Sequence, residues 1–189
     1  MNDGVLVLNR ATDVHQRLLD AGIDNAIGGA LALAYHIDDP RATQDIDINV
    51  SLPATHAVHA LEVLPEDVPW DGQTLDRIRE DDQVRIMWPV AGQVPIPLDL
   101  FFAVDRFHDT VQERAISVPM LQSMVKVLSA TDLAVFKALY DRSKDWPDII
   151  AMRDAHDSAL DIEDAAQWVT AIVGPDDSRV ERLRQLAHG

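Results

Sequence analysis

A chain of 189 residues, 47% of them hydrophobic, can build one domain with a real core or a domain carrying a small helical appendage, and is short for two independent domains. Its formal net charge of −16 excludes a generic nucleic-acid-binding surface, because a polyanion is repelled by the mean field and needs a local basic patch to dock. With no cysteine there is no disulfide framework, thiolate nucleophile or thiolate-held zinc, so any metal must be bound through oxygen or imidazole.

The opening "MNDGVLVLNR" has no basic flank and only a short apolar run, and no run reaches membrane-spanning length. A soluble, cytoplasmic protein without a membrane partner is expected. Thr12 to Ala21 reads as a helix that begins at a capping-type Thr/Asp and stops at Gly22. Asp24 to Ile27 is a short strand, Gly28-Gly29 a turn, and Ala30 to His36 a second helix rich in Ala and Leu. Gln44 to Leu52 alternates, with Ile46, Ile48 and Val50 on one face and Asp45, Asp47 and Asn49 on the other, which is the period of a strand. "ATHAVHALEVL" reads as a helix.

Between Val84 and Phe102, "VRIMWPV" and "VPIPLDLFF" flank "AGQ" and predict a hairpin whose second arm starts as an edge or irregularly, at Pro95 and Pro97. "AISVPM" is a last strand candidate. Helix signals then dominate, over roughly Thr131 to Arg142, Asp145 to His156, Ile162 to Val173 and Ser178 to Ala187. The expected organisation is α+β: a core over 1–120, followed by a helical part over 121–189 that shares a cleft with it.

Residues i and i+2 of a strand point the same way, so Asp45 and Asp47 stand side by side, a repulsive arrangement that a bound cation commonly offsets. Asp99 lies in the second arm of the hairpin, and if the two strands are neighbours three carboxylates converge. Three carboxylates without cysteine suit Mg²⁺ or Mn²⁺ bound together with substrate phosphates. A strand, Gly28-Gly29 and a helix would set free backbone N–H groups and a helix dipole at one spot, an anion site able to cradle a triphosphate. Alone, an Asp-x-Asp pair is often a solvated strand face, and a Gly-Gly pair an ordinary turn.

Lysine occurs only at 126, 137 and 144. Lys137 is flanked by Val135, Phe136, Ala138 and Leu139; it either binds nucleotide phosphates or lays its stem along an apolar helix with Asp141 as ion-pair partner. Lys144, Asp145 and Asp148 share its helical stripe, which Pro147 bends by favouring the first turn of a new helix near Asp145. Asp145 or Asp148 would position a partner. The histidines show no ligand spacing, and the four tryptophans read as packing residues.

The order Gly28-Gly29, "RAT" at 41–43, "DID" at 45–47 and a later lone Asp99 resembles the nucleotidyltransferase superfamily with the DNA polymerase β type of fold. "IGGALALAYH" with "RATQDIDI" and "DLAVFKALYDRSKDWPDII" is most similar to its abortive-infection AbiEii/MenT toxin branch, over roughly residues 23–150. The resemblance implies a mixed sheet flanked by helices, Asp45 and Asp47 as metal ligands, Asp99 as third ligand or proton acceptor, and a lysine and aspartate from the helical part completing the site. Gly28, Gly29, Arg41, Thr43, Lys137 and Lys144 would bind the nucleotide. It also implies transfer of a nucleotide from an NTP to an acceptor, here tRNA 3′ ends, by a toxin with a cognate antitoxin. Many members carry Gly-Ser where this chain has Gly28-Gly29, leaving Thr43 as a stand-in hydroxyl. Gly-Gly also occurs in antibiotic nucleotidyltransferases, so an aminoglycoside or lincosamide acceptor stays open, as does a catalytically silent binding module.

Overall fold

The computed structural model describes residues 3–188. The chain divides into two compact units, one formed by the chain up to Leu31 with Ala42–Val127 and the other by Ala32–Arg41 with the chain from Leu128 onward.

The first unit opens with α1 (Asp3–Asp20), longer than the helix expected from Thr12 because Val7, Ala11, Val14 and Leu18 form one continuous buried stripe. It ends at Gly22, whose φ of 75° is left-handed, with the Ile23 N–H donating to the Leu18 carbonyl at 2.9 Å in a Schellman closure. Then follow β1 (Asn25–Ile27), α2 (Gly29–Leu33), β2 (Ile46–Pro53), a 3₁₀ turn (Ala54–His56) leading into α3 (Ala57–Glu62), and α4 (Gly72–Asp81). The hairpin strands β3 (Gln83–Trp88) and β4 (Ile96–Ala103) precede α5 (Arg106–Arg114), β5 (Ile116–Met120) and β6 (Ser123–Val127).

All six strands join one mixed sheet in the order β3-β4-β2-β1-β6-β5, parallel at β4/β2 and β1/β6 and antiparallel elsewhere. The fold class is therefore the expected one, a mixed sheet flanked by helices. Alternation divides the β3-β4-β2 region into two faces. Val84, Ile86, Leu98, Leu100, Ile46 and Ile48 are buried on one, and the residues between them point to the other. Pro97 pairs with Met87 of β3 one position before the β2 pairing starts at Leu98, so its missing N–H falls where β4 has no partner on that side.

His15 of α1 is buried, and a closed set of hydrogen bonds fixes its tautomer. The Lys126 N–H donates to Nε2 at 3.2 Å, so Nδ1 carries the proton and donates to the Asn25 side-chain oxygen at 2.7 Å. The Asn25 amide donates in turn to the His15 and Ile23 carbonyls. Burial holds the His15 pKa below its ordinary value despite the Asn25 bond, and the Lys126 charge adds to the depression. The unfolded chain consequently binds more protons between the folded value and the unperturbed one near 6.5, and stability rises with pH across that window. Chemical denaturation is expected to show stability falling as pH drops from about 6.5 toward the lowered folded value. His15→Gln should flatten that slope.

The second unit contains α6 (Ala130–Tyr140), α7 (Asp145–Asp154), α8 (Ile162–Val173) and α9 (Ser178–His188). Helix α6 is apolar nearly all round and buried along most of its length, packed by α7, α8 and α9. It starts one residue before the expected Thr131, where the Ser129 hydroxyl accepts from the Asp132 N–H at 3.1 Å. It also stops short of Arg142, because Asp141 adopts a left-handed φ of 51°. Helix α7 begins at Asp145 with Pro147 in its first turn, as the proline predicts. Among the described residues no helix is long and apolar enough to cross a membrane.

Candidate active site

In the first unit the register builds a polar row across three strands. Asp47 of β2 pairs directly with Asp99 of β4, and Asp99 pairs directly with Arg85 of β3, so the three side chains leave the same face at one level. Asp45 immediately precedes β2, and the Thr43 hydroxyl accepts from its backbone N–H at 3.2 Å. Arg85 Nε donates to Asp99 Oδ1 at 2.8 Å and Nη2 to Oδ2 at 2.6 Å, a two-pronged pairing, while Nη2 stands 3.9 Å from Asp45 Oδ2. The hydrogen bonds to Asp99, reinforced by the Asp99, Asp45 and Asp47 charges, raise the guanidinium pKa in spite of desolvation.

The glycine turn serves this row differently from the expected phosphate cradle. Gly28 has no free N–H, because it donates to the Asp47 carbonyl at 2.8 Å and extends the β1-β2 ladder. Helix α2 runs only from Gly29 to Leu33, not to His36, too short to develop much dipole. Gly29 has a φ of 55°, and a Cβ built on it would overlap the Asp47 side chain, which supplies all three nearest atoms. A serine there would collide with the aspartate; the glycine is needed for Asp47 to sit where it does.

In the second unit, Lys137 of α6 reaches the start of α7. Its Nζ is 2.6 Å from Asp148 Oδ2 and 3.6 Å from Asp145 Oδ1, and the residue is only 4% exposed. Arg41 Nη2 also donates to Asp148 Oδ2, at 3.2 Å, so Arg41 belongs to this cluster. Arg142 clasps the fully buried Asp145 through its backbone N–H, Nε and Nη2, at 3.1, 2.7 and 3.1 Å. Burial works to raise the Asp145 carboxyl, but the Arg142 hydrogen bonds and charge, helped by Lys137, outweigh it and hold the pKa below the ordinary carboxylate value. Asp141, read from the sequence as an alternative ion-pair partner for Lys137, instead accepts from the Trp146 indole N–H at 2.5 Å. Lys144 is exposed in the link before α7.

Three carboxylates on one face, with no sulfur donor, have the chemistry of a hard divalent cation site. As they stand, no three His, Cys, Asp or Glu side chains among the described residues are grouped to hold a metal ion. Both Asp99 oxygens accept from Arg85, whose guanidinium also faces Asp45. Arg85 is the site residue that sequence reasoning missed. Its signal was there, in the alternation of "VRIMW", but the seven residues between β3 and β4 hide which position of one arm faces Asp99.

No protein-family model matches the chain, and no curated protein does. Among solved structures it is similar to a candidate nucleotidyltransferase from H. pylori, 11% identical with a TM-score of 0.52 over 100% of this chain and 91% of that one. It is similar also to JHP933 from Helicobacter pylori, 11% identical with a TM-score of 0.50 over 100% of this chain and 88% of that one. A third, the antibiotic-resistance factor ANT(2'')-Ia in its solution structure, is 13% identical over 98% of this chain and 92% of that one, at a TM-score of 0.46 too loose to carry an argument. The chain thus has a nucleotidyltransferase fold. At these identities the likeness speaks for the fold alone.

Proposed function

We propose that the protein is a metal-dependent nucleotidyltransferase that moves an NMP from an NTP to an acceptor hydroxyl. The observation that carries this reading is the row Asp47-Asp99-Arg85, with Asp45 beside it and Gly29 cleared of a side chain to admit Asp47, on a nucleotidyltransferase fold. Asp45 and Asp47 would hold Mg²⁺ or Mn²⁺, joined by Asp99 once Arg85 releases it. Such an ion, when bound, neutralises phosphate oxygens and orients an in-line displacement at the α-phosphorus. Asp99 would accept the proton of the attacking hydroxyl, in the role that the family resemblance implies, once Arg85 has let go of it. Lys137 takes the triphosphate in the role that the family resemblance implies, with Asp145 and Asp148 fixing its ammonium.

Two acceptors are in contention. The resemblance supports a tRNA 3′ end, and with it a toxin held in check by an antitoxin. Charge supports a second reading, a cationic small molecule of the aminoglycoside kind. The arginines that an RNA groove would need are largely occupied: Arg41 by Asp148, Arg142 by Asp145, Arg153 by Asp154 and Arg179 by Asp177. Incubation with each α-labelled NTP, Mg²⁺ or Mn²⁺, and either total tRNA or an aminoglycoside panel separates the two. Labelled tRNA is the expected product if the toxin reading holds. Label on an aminoglycoside with none on tRNA would replace it, and no label on either would favour a silent binding module.

A further inference from the structure

We propose that Arg85 is a resident cation of the carboxylate face, a positioning residue that withholds Asp99 from a divalent metal and so keeps metal binding weak until it is displaced. This rests on the reading of Asp45, Asp47 and Asp99 as metal ligands.

An ordinary ion pair on a sheet edge uses solvated partners that touch nothing else. This one differs in three respects. Asp99 is a buried residue, and both of its oxygens are hydrogen-bonded by a single guanidinium, at 2.8 and 2.6 Å. The register puts Arg85, Asp99 and Asp47 at one level on adjacent strands, so the arginine emerges on the carboxylate face. The same Nη2 lies 3.9 Å from Asp45, so one guanidinium faces both a carboxylate of β4 and the one just before β2. A metal ion shared by the three carboxylates and the Arg85 guanidinium compete, because both are cations directed at the same two Asp99 oxygens. Departure is open to the arginine. Its side chain is 55% exposed on the edge strand β3, so swinging out returns the guanidinium to water, while the incoming metal replaces the counter-charge that the buried Asp99 loses.

The test measures Mn²⁺ binding to the full chain without nucleotide, by calorimetry or by the loss of the free-ion EPR signal, and so does not depend on turnover. Arg85→Gln removes a cation and frees Asp99, and should tighten Mn²⁺ binding by roughly tenfold or more. Arg85→Lys keeps the charge but not the two-pronged grip, and should fall between. Asp99→Asn should weaken binding several-fold more in the Arg85→Gln background than in the wild type, since only there is the carboxylate available. An Arg85→Gln protein that is folded by circular dichroism and binds no more tightly than the wild type overturns the proposal, as does an equal effect of Asp99→Asn in both backgrounds. If the wild type and Arg85→Gln both fail to bind Mn²⁺ even with a non-hydrolysable NTP, the metal reading falls and takes the proposal with it. Tightening in Arg85→Gln with no NMP transfer by any form would uphold the arginine's role while refuting the transferase.

Discussion

Asp47→Asn is expected to abolish NMP transfer, by roughly a hundredfold or more, while leaving the protein folded. Asp47 stands between Asp45, two residues before it, and Asp99, its partner across the β2-β4 pair, so any ion held by the face is held through it. Its carboxylate lies directly over Gly29, and an asparagine has the same outline, so the close approach survives the substitution. Removing one of three neighbouring negative charges lessens their repulsion in the metal-free protein, and the unfolding temperature should hold or rise. Transfer measured beside a thermal melt distinguishes this from damage to the fold. Wild-type turnover in Asp47→Asn would remove the carboxylate face from the mechanism.

Lys137→Ala should produce the largest loss of stability. The ammonium joins α6 to the first turn of α7, and without it two buried carboxylates lose a counter-charge. Breaking a buried pair from one side costs about 3–5 kcal/mol, and Arg41 on Asp148 with Arg142 on Asp145 places this case toward the lower end. Lys126 offers the contrast. It sits 3.6 Å from an exposed Asp24, a surface pair worth at most about 1 kcal/mol, and Lys126→Ala should change little. Denaturant titration reads both differences. Pairing Lys137→Met with Asp148→Asn removes both charges, and should recover stability without recovering transfer if the lysine also serves the triphosphate. Recovery of both would reduce Lys137 to a structural clamp.

The parts of the fold legible in the sequence are those whose burial leaves a period. Strand β2 announces itself through Ile46, Ile48 and Val50, and the β3-β4 hairpin through two alternating arms. Helices α4 and α5 were not anticipated because they bury little: Ile78 in one, Phe107 and Val111 in the other, too few positions to write a helical repeat. Capping signals were present, in the Asp71–Thr74 capping box and in Asp105. Strand β6 was hidden by its turn. The β5-β6 hairpin closes through Leu121 at a φ of 55°, where turn chemistry favours glycine, asparagine or aspartate, so "MLQS" carries no turn signal.

The candidate site divides along the same line. Alternation alone puts Asp47 and Asp99 on the non-core faces of their strands, but only the parallel register of β2 with β4 makes them neighbours. The missing Gly-Ser serine reads from sequence as a lost phosphate contact; in space it is the clearance that Asp47 requires. Arg41 stands close to Asp45 in the sequence, yet its guanidinium goes to Asp148, a partner 107 residues away. Long-range pairings of this kind leave no local period.

The most direct measurement follows the phosphorus. The wild-type protein is incubated with Mn²⁺ and acceptor, and with NTP labelled either at the α- or at the γ-phosphate. Label from the α position is expected on the acceptor, with unlabelled acceptor from the γ-labelled NTP, and both the signal and its loss on chelation should be absent in Asp47→Asn. Acceptor labelled from the γ position, or α-label transfer that persists in Asp47→Asn, would contradict nucleotidyl transfer through this carboxylate face.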